Sequence, residues 1–218
     1  MEKKFEIVSL GVNCLPRTIL TRNKIKPTKA DGELTGPFDL VIHRLDRIIH
    51  YLKNNFEDYF DDIEFVLRKR NFLDFRNQGY WKKSDGTIFR HDKDCKAPDK
   101  EKLVNRIKNR INNFNKIIES KTPVVFVFYA LKSENLVDEL YEILQKLRKG
   151  KPFKLVVIDI YSCIKPNNNE IQLLKLSEPI DNYEKYWNSS KYRNRPVVKY
   201  AEKCISEFVQ YVAESLVN

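Results

Sequence analysis

The sequence predicts an α/β fold: a three-layer sandwich with a mostly parallel sheet and helices on both faces. Three observations lead there. Short apolar runs rich in β-branched residues alternate along the chain with segments whose apolar residues recur at helical spacing. The central runs, above all Val124 to Tyr129, are apolar at every position, the pattern of a strand covered on both sides. Finally, no linker rich in Pro, Gly or Ser divides the 218 residues, so one α/β domain over residues 1–218 is expected.

Each element has its own signal. Phe5 to Leu10 is a short apolar run ended by Gly11 and reads as a buried strand, with a helix following from about Leu15. Lys26 to Gly36, polar and punctuated by Pro and Gly, reads as a loop. Leu45, Ile48, Ile49 and Leu52 then mark an amphipathic helix ending near Asn54 and Asn55. From Ile63 to Phe89 aromatic and charged residues alternate around Gly79 and Gly86, which predicts short strands or a hairpin excursion. The clearest helix runs from Pro98 to Ser120, with Leu103, Ile107, Ile111, Phe114 and Ile118 on one face. After the strand at Val124 to Tyr129 come a helix from about Asn135 to Leu147, a strand from Lys154 to Ile160 and a shorter one around Ile171 to Leu176. The last helix, about Pro196 to Leu216, has Pro in its first turn, where the missing N–H costs nothing.

Composition narrows the setting. With 42% hydrophobic and 12% aromatic residues the chain can bury a core without disulfides or a structural metal. Glu6 interrupts the N-terminal apolar stretch, which argues against a signal peptide. The longest apolar run, Pro123 to Leu131, is about half of the ~18 residues a membrane span needs. The four cysteines, Cys14, Cys95, Cys163 and Cys204, are scattered, with no CxxC pair, and read as reduced thiols of a cytoplasmic protein. The sequon Asn188-Ser-Ser190 is then idle. A net charge of +10 admits a polyanionic partner, yet the excess is spread along the chain and lacks a nucleic-acid-binding motif, so neither nucleic acid nor membrane is the expected partner.

The chemistry is expected at the C-terminal ends of the parallel strands, where helix N-termini and loop amides converge. The first strand ends in Ser9-Leu-Gly-Val-Asn-Cys14, which puts Cys14 at or near the start of the next helix. Unpaired backbone N–H groups there stabilise a thiolate and supply oxyanion donors. Gly11 permits a close backbone approach, and the Asn13 amide can donate a further hydrogen bond. Against this stands the commoner role of a lone cysteine as a small buried apolar residue.

A thiol nucleophile needs a base, and there are three histidines. His43 and His50 fall in or beside the second helix, where a partly exposed histidine without a task is the default. His91, in Gly86-Thr-Ile-Phe-Arg-His91-Asp, follows a strand-like stretch and is the better base. His91, Asp92, Asp94 and Cys95 in one loop do not make a ligand set, and neither metal nor cofactor is expected. In Gly36-Pro-Phe-Asp39, Gly-Pro fixes a turn and Phe38 anchors it; Asp39 then caps the next helix or faces a cleft, there to orient an imidazole or bind a substrate hydroxyl.

Taken in order, Ser9-Leu-Gly-Val-Asn-Cys14, Gly36-Pro-Phe-Asp39 and Gly86-Thr-Ile-Phe-Arg-His91-Asp resemble a family of uncharacterised bacterial and viral proteins described as papain-like cysteine peptidases. The likeness extends through Arg106-Ile-Lys-Asn-Arg110-Ile-Asn-Asn-Phe114, similar to the family's arginine-rich helix, over roughly the first 130 residues. It implies a Cys14–His91 pair with Asp39 as a third member. Leu40 stands where the family's motif has Trp, so stacking on an indole is not expected there. A papain-like α+β layout, with the cysteine helix against an antiparallel barrel, is the alternative fold that the resemblance raises. A nucleophile directly after the first strand is also positionally similar to the serine of SGNH-type hydrolases, but no Asp-x-x-His lies near the C-terminus.

Three functions follow for test. In the first, a thiol-dependent hydrolase or acyltransferase, His91 activates Cys14 and the amides around Asn13 and Cys14 hold the oxyanion. In the second, a binding or transferase module, Arg106 and Arg110, four residues apart on one helical face, clamp an anionic or sugar-nucleotide ligand instead of forming a solvated basic face. The third is an interaction protein without catalysis. Substrate and oligomeric state leave no mark in the sequence.

Overall fold

A computed structural model of the chain describes residues 4–32, 34–67, 79–89, 91–92, 99–130, 136–159, 161, 163–176 and 194–217. In chain order they form β1 (Glu6–Ser9), α1 (Leu15–Arg22), a 3₁₀ turn at Lys29–Asp31, α2 (Leu45–Lys53), β2 (Glu64–Leu67), β3 (Gly79–Lys82), β4 (Ile88–Phe89), α3 (Lys100–Glu119), β5 (Val124–Ala130), α4 (Val137–Arg148), β6 (Phe153–Asp159), β7 (Ile171–Lys175) and α5 (Pro196–Glu214).

The main sheet has the order β1-β5-β6-β7, and every neighbouring pair is parallel. Because successive residues of a strand point to opposite faces, the continuously apolar β5 feeds two cores at once. Val124, Phe126 and Phe128 join Val8, Leu155 and Val157 under α3 and α4, in a core that also takes in α2 and Trp81 and Phe89 of the second sheet. Val125, Val127 and Tyr129 join Ile7, Val156 and Ile158 under α1 and α5. Helices on both faces of a parallel sheet make the α/β sandwich that the sequence predicts. The papain-like α+β layout is not what forms, since the antiparallel pairing among the described residues is confined to the small sheet β2-β3-β4 and one bridge between Ile42 and Ile88.

Local chemistry sets the element ends that matter for the site. Asp99 caps α3, its side chain accepting from the Lys102 N–H at 3.0 Å. At the other end of α3 the wholly buried Arg148 donates to the carbonyls of Ile117, Ile118, Ser120, Thr122 and Pro152, at 2.8 to 3.1 Å. Carbonyls that a helix C-terminus leaves unpaired are thereby satisfied, and the turn into β5 is fixed. Tyr183, Tyr186, Trp187 and Tyr192, aromatic residues ahead of the last helix that could line a pocket or cover that helix, lie outside the described residues, as do Asp94, Cys95 and the Asn188 sequon.

Candidate functional site around Cys14

The chain leaves β1 at the C-terminal edge of the sheet and turns sharply through residues 11–14. A Cβ at Gly11 would lie 2.2 Å from the Asn13 carbonyl oxygen and 3.1 Å from Cδ of Pro16, so the loop closes only over a glycine. Cys14 occupies the N-cap position of α1 and makes no side-chain cap itself. Asn13 Oδ1 takes the Leu15 N–H at 2.9 Å instead. The Cys14 carbonyl accepts from the Thr18 N–H at 3.1 Å and from Thr18 Oγ1 at 2.8 Å. Cys14 is half-buried, and Cys14, Cys163 and Cys204 are not in disulfides.

One turn into α1, Arg17 reaches across to Asp39. Its Nη1 donates to Asp39 Oδ2 at 2.5 Å, and the same oxygen takes the Gly36 N–H at 2.6 Å. Both side chains are largely sealed, 11% and 3% exposed. The partners of Asp39 are thus a guanidinium and a main-chain amide, with no histidine among them. Nor does Asp39 cap α2, whose N-cap is Arg44. Its second oxygen, Oδ1, is buried without a hydrogen-bond partner.

A relay of main-chain bonds carries the other segments to this loop. The His43 N–H donates to the Val12 carbonyl at 3.0 Å, and Ile42 and Ile88 exchange N–H to carbonyl bonds of 2.9 and 3.0 Å. Strand β4 therefore runs alongside residues 42–43, and His91 and Asp92 follow its end. His91 is exposed, whereas Asp92 is buried. The Asp92 carboxylate receives Arg106 Nη1 at 3.0 Å and Arg110 Nη2 at 2.9 Å. Farther along the same helix, Asn113 Nδ2 donates to the Thr35 carbonyl at 3.2 Å, next to Gly36. The three sequence motifs and the arginine-bearing helix, far apart in the chain, are in this way laced into one region.

Arg106 and Arg110 do clamp one anion, but that anion is Asp92 of the same chain. The side chain of Asp92 is 0% exposed, that of Arg110 9% and that of Arg106 27%, so this is a structural ion triad more than a solvated basic face. The role of Asp92 was not legible in the sequence, where it reads only as the neighbour of His91.

His43 also departs from expectation. It precedes α2 and is wholly buried, not partly exposed on a helix. Nε2 lies 2.8 Å from the Tyr59 hydroxyl, and the ring meets Phe38, Tyr51 and Tyr59. Burial holds the imidazole neutral, pushing its pKa from 6.5 down to about 3. A base so weak is poorly matched to a thiol. His50, by contrast, sits 2.6 Å from Asp58 at the surface.

Cavities among the described residues lie away from the Cys14 loop. One of about 370 Å³ lies between the end of α1 and α5, lined by Asn23, Ser206 and Tyr211 among others. Another, about 160 Å³, lies at the start of β1. Neither includes a residue of the Cys14 loop. No group of three or more His, Cys, Asp or Glu side chains suited to a metal ion occurs among the described residues, and none of their helices is long and apolar enough to cross a membrane.

Compared with known proteins, residues 5–161 match the family model described as "Putative papain-like cysteine peptidase (DUF1796)". No curated protein and no solved structure matches the chain.

Proposed function

Since the chain belongs to the DUF1796 family, we propose that it is a thiol-dependent hydrolase or acyltransferase in which Cys14 is the nucleophile and His91 its base. The observation that carries this reading is the N-cap position of Cys14 on a helix that starts at the C-terminal edge of a parallel sheet. The positive end of the helix dipole favours the thiolate there. The bonds from Val12 to His43 and from Ile42 to Ile88 support the pairing, because they bring the end of β4, and His91 after it, toward the same loop.

In the proposed reaction His91 takes the thiol proton and the sulfur attacks an ester, amide or thioester carbonyl. Gly11 keeps the loop tight, and Asn13, whose Oδ1 is spent on Leu15, retains its amide nitrogen as a donor toward substrate. Asp39 serves the site through Arg17 and the turn at Gly36. The scattered free thiols suit a cytoplasmic setting. An anion-binding module built on Arg106 and Arg110 has less in its favour, since both guanidiniums are engaged by Asp92.

Labelling with an electrophilic thiol probe tests the proposal. Cys14 is expected to react faster near neutral pH than Cys95, Cys163 or Cys204, to lose that advantage in His91→Ala, and to account for the fast phase that Cys14→Ala abolishes. Equal reactivity of all four thiols in the folded wild type would remove the nucleophile.

A further inference from the structure

Helix N-termini supply oxyanion donors through their unpaired main-chain amides, but here most of these are spent or missing. The Leu15 N–H is held by Asn13 Oδ1, Pro16 has no N–H, and the Thr18 N–H is bonded to the Cys14 carbonyl. Arg17 stands three residues after Cys14, on the same helical face, and side chains in a helix lean toward its N-terminus, over the preceding turn. Its guanidinium engages Asp39 through Nη1. A bidentate fork would be the usual arrangement for Arg and a carboxylate. It does not form: Asp39 Oδ1 is left buried without a partner, and Arg17 Nε and Nη2 donate to no acceptor among the described residues. A charged donor three residues along the helix from Cys14 is thus anchored to Asp39 through Nη1 alone, with Nε and Nη2 left unengaged by the described residues.

We infer that this open end of Arg17 is the group that holds the substrate oxyanion, an inference that rests on Cys14 being the nucleophile. The thiol proton passes to His91. The sulfur lone pair forms the S–C bond while the C=O π pair moves onto oxygen, where the Arg17 N–H groups receive it. Collapse restores C=O, breaks the bond to the leaving group, and returns the proton from His91 to that group. Water then repeats the sequence on the thioester, releasing the acid and the thiol. Asp39 fixes the direction of the guanidinium and does not touch substrate.

The test contrasts two reactions of the full-length chain at Cys14: acylation by p-nitrophenyl acetate, which develops an oxyanion, and alkylation by iodoacetamide, which does not. Rate constants are compared at the high-pH plateau, so that a change in thiol ionisation does not enter. Arg17→Gln is expected to slow acylation roughly 100-fold, the scale of losing one oxyanion donor, with alkylation unchanged within about threefold. Arg17→Lys should recover part of the acylation rate. Because Arg17→Gln strands a buried carboxylate, the double variant Arg17→Gln/Asp39→Asn is measured beside it and should give the same split if the single variant fails to fold. Equal losses in both reactions, or no loss in either, overturn the inference while leaving Cys14 as nucleophile. A wild-type Cys14 inert to both reagents overturns the underlying reading instead.

Discussion

The main-chain N–H of His43 lies 3.0 Å from the carbonyl of Val12, and this bond fastens the segment after Asp39 to the loop that carries Cys14. The histidine is held there neutral, with its pKa lowered to about 3 by burial. The unfolded chain takes up this proton near pH 6.5, the folded protein only near pH 3. Within that window the unfolded state binds more protons, so stability falls as pH falls, by at most ~1.4 kcal/mol per pH unit from this group. Urea unfolding between about pH 7 and pH 4.5 should show the slope, and His43→Gln should flatten it; an unchanged slope in the variant would mean that other groups carry it.

Gly11→Ala places a methyl group against the Asn13 carbonyl at 2.2 Å, a contact the loop can relieve only by moving. The expected cost is about 2 kcal/mol, the middle of the range for overpacking. Labelling of Cys14 should slow in parallel, because the displaced backbone is the one that positions the sulfur. Thermal melting and probe kinetics on the same sample check both effects, and a variant as stable and as reactive as wild type would contradict the tight turn.

Asp92→Asn removes the charge that Arg106 and Arg110 share, with the carboxylate 0% exposed. Breaking a buried ion pair from one side costs about 3 to 5 kcal/mol, because the stranded charges stay desolvated. Of the two arginines, Arg110→Gln should destabilise more than Arg106→Gln, since its side chain is 9% exposed against 27%. The order of the three denaturation midpoints checks the arrangement, and a reversed order of the arginines would count against it.

Arg148→Met keeps most of the buried volume but removes a donor from the carbonyls of Ile117, Ile118, Ser120, Thr122 and Pro152, and for Ser120 and Thr122 it is the only donor among the described residues. Lys151, which donates to the Glu119 carbonyl at 2.8 Å, offsets little of this. A loss of about 3 kcal/mol is expected, as two acceptors lose their only donor and three more lose one of theirs. Chemical denaturation measures it, and hydrogen exchange should show the last turn of α3 opening first.

The secondary structure was legible because its signals are local. The stripe Leu103, Ile107, Ile111, Phe114 and Ile118 marks α3, and the unbroken Val124 to Tyr129 marks the strand covered on both faces. The convergence of the motifs on the Cys14 loop was legible only as an order along the chain. What the sequence hid depends on partners far away. Arg17 reads as an ordinary helix cation until Asp39, 22 positions on, is found against it. The spacing of Arg106 and Arg110 allowed a shared anion as readily as a solvated basic face, but no periodicity could say that a carboxylate from the preceding loop filled the place. His43 was misjudged because its neighbours Leu45 and Ile48 suggested a helix face, whereas its environment comes from Tyr51, Tyr59 and Phe38.

Glu6 pairs with Val124 and Ser9 with Val127, so β1 has no sheet neighbour until almost everything up to β5 has been made. During synthesis the first strand must wait on the ribosome as an unpaired apolar edge, and closing so long a loop makes its docking a late event. The turn that holds the thiol therefore gains its sheet only once β5 has been made, and a nascent chain halted before β5 would contain Cys14 without its setting.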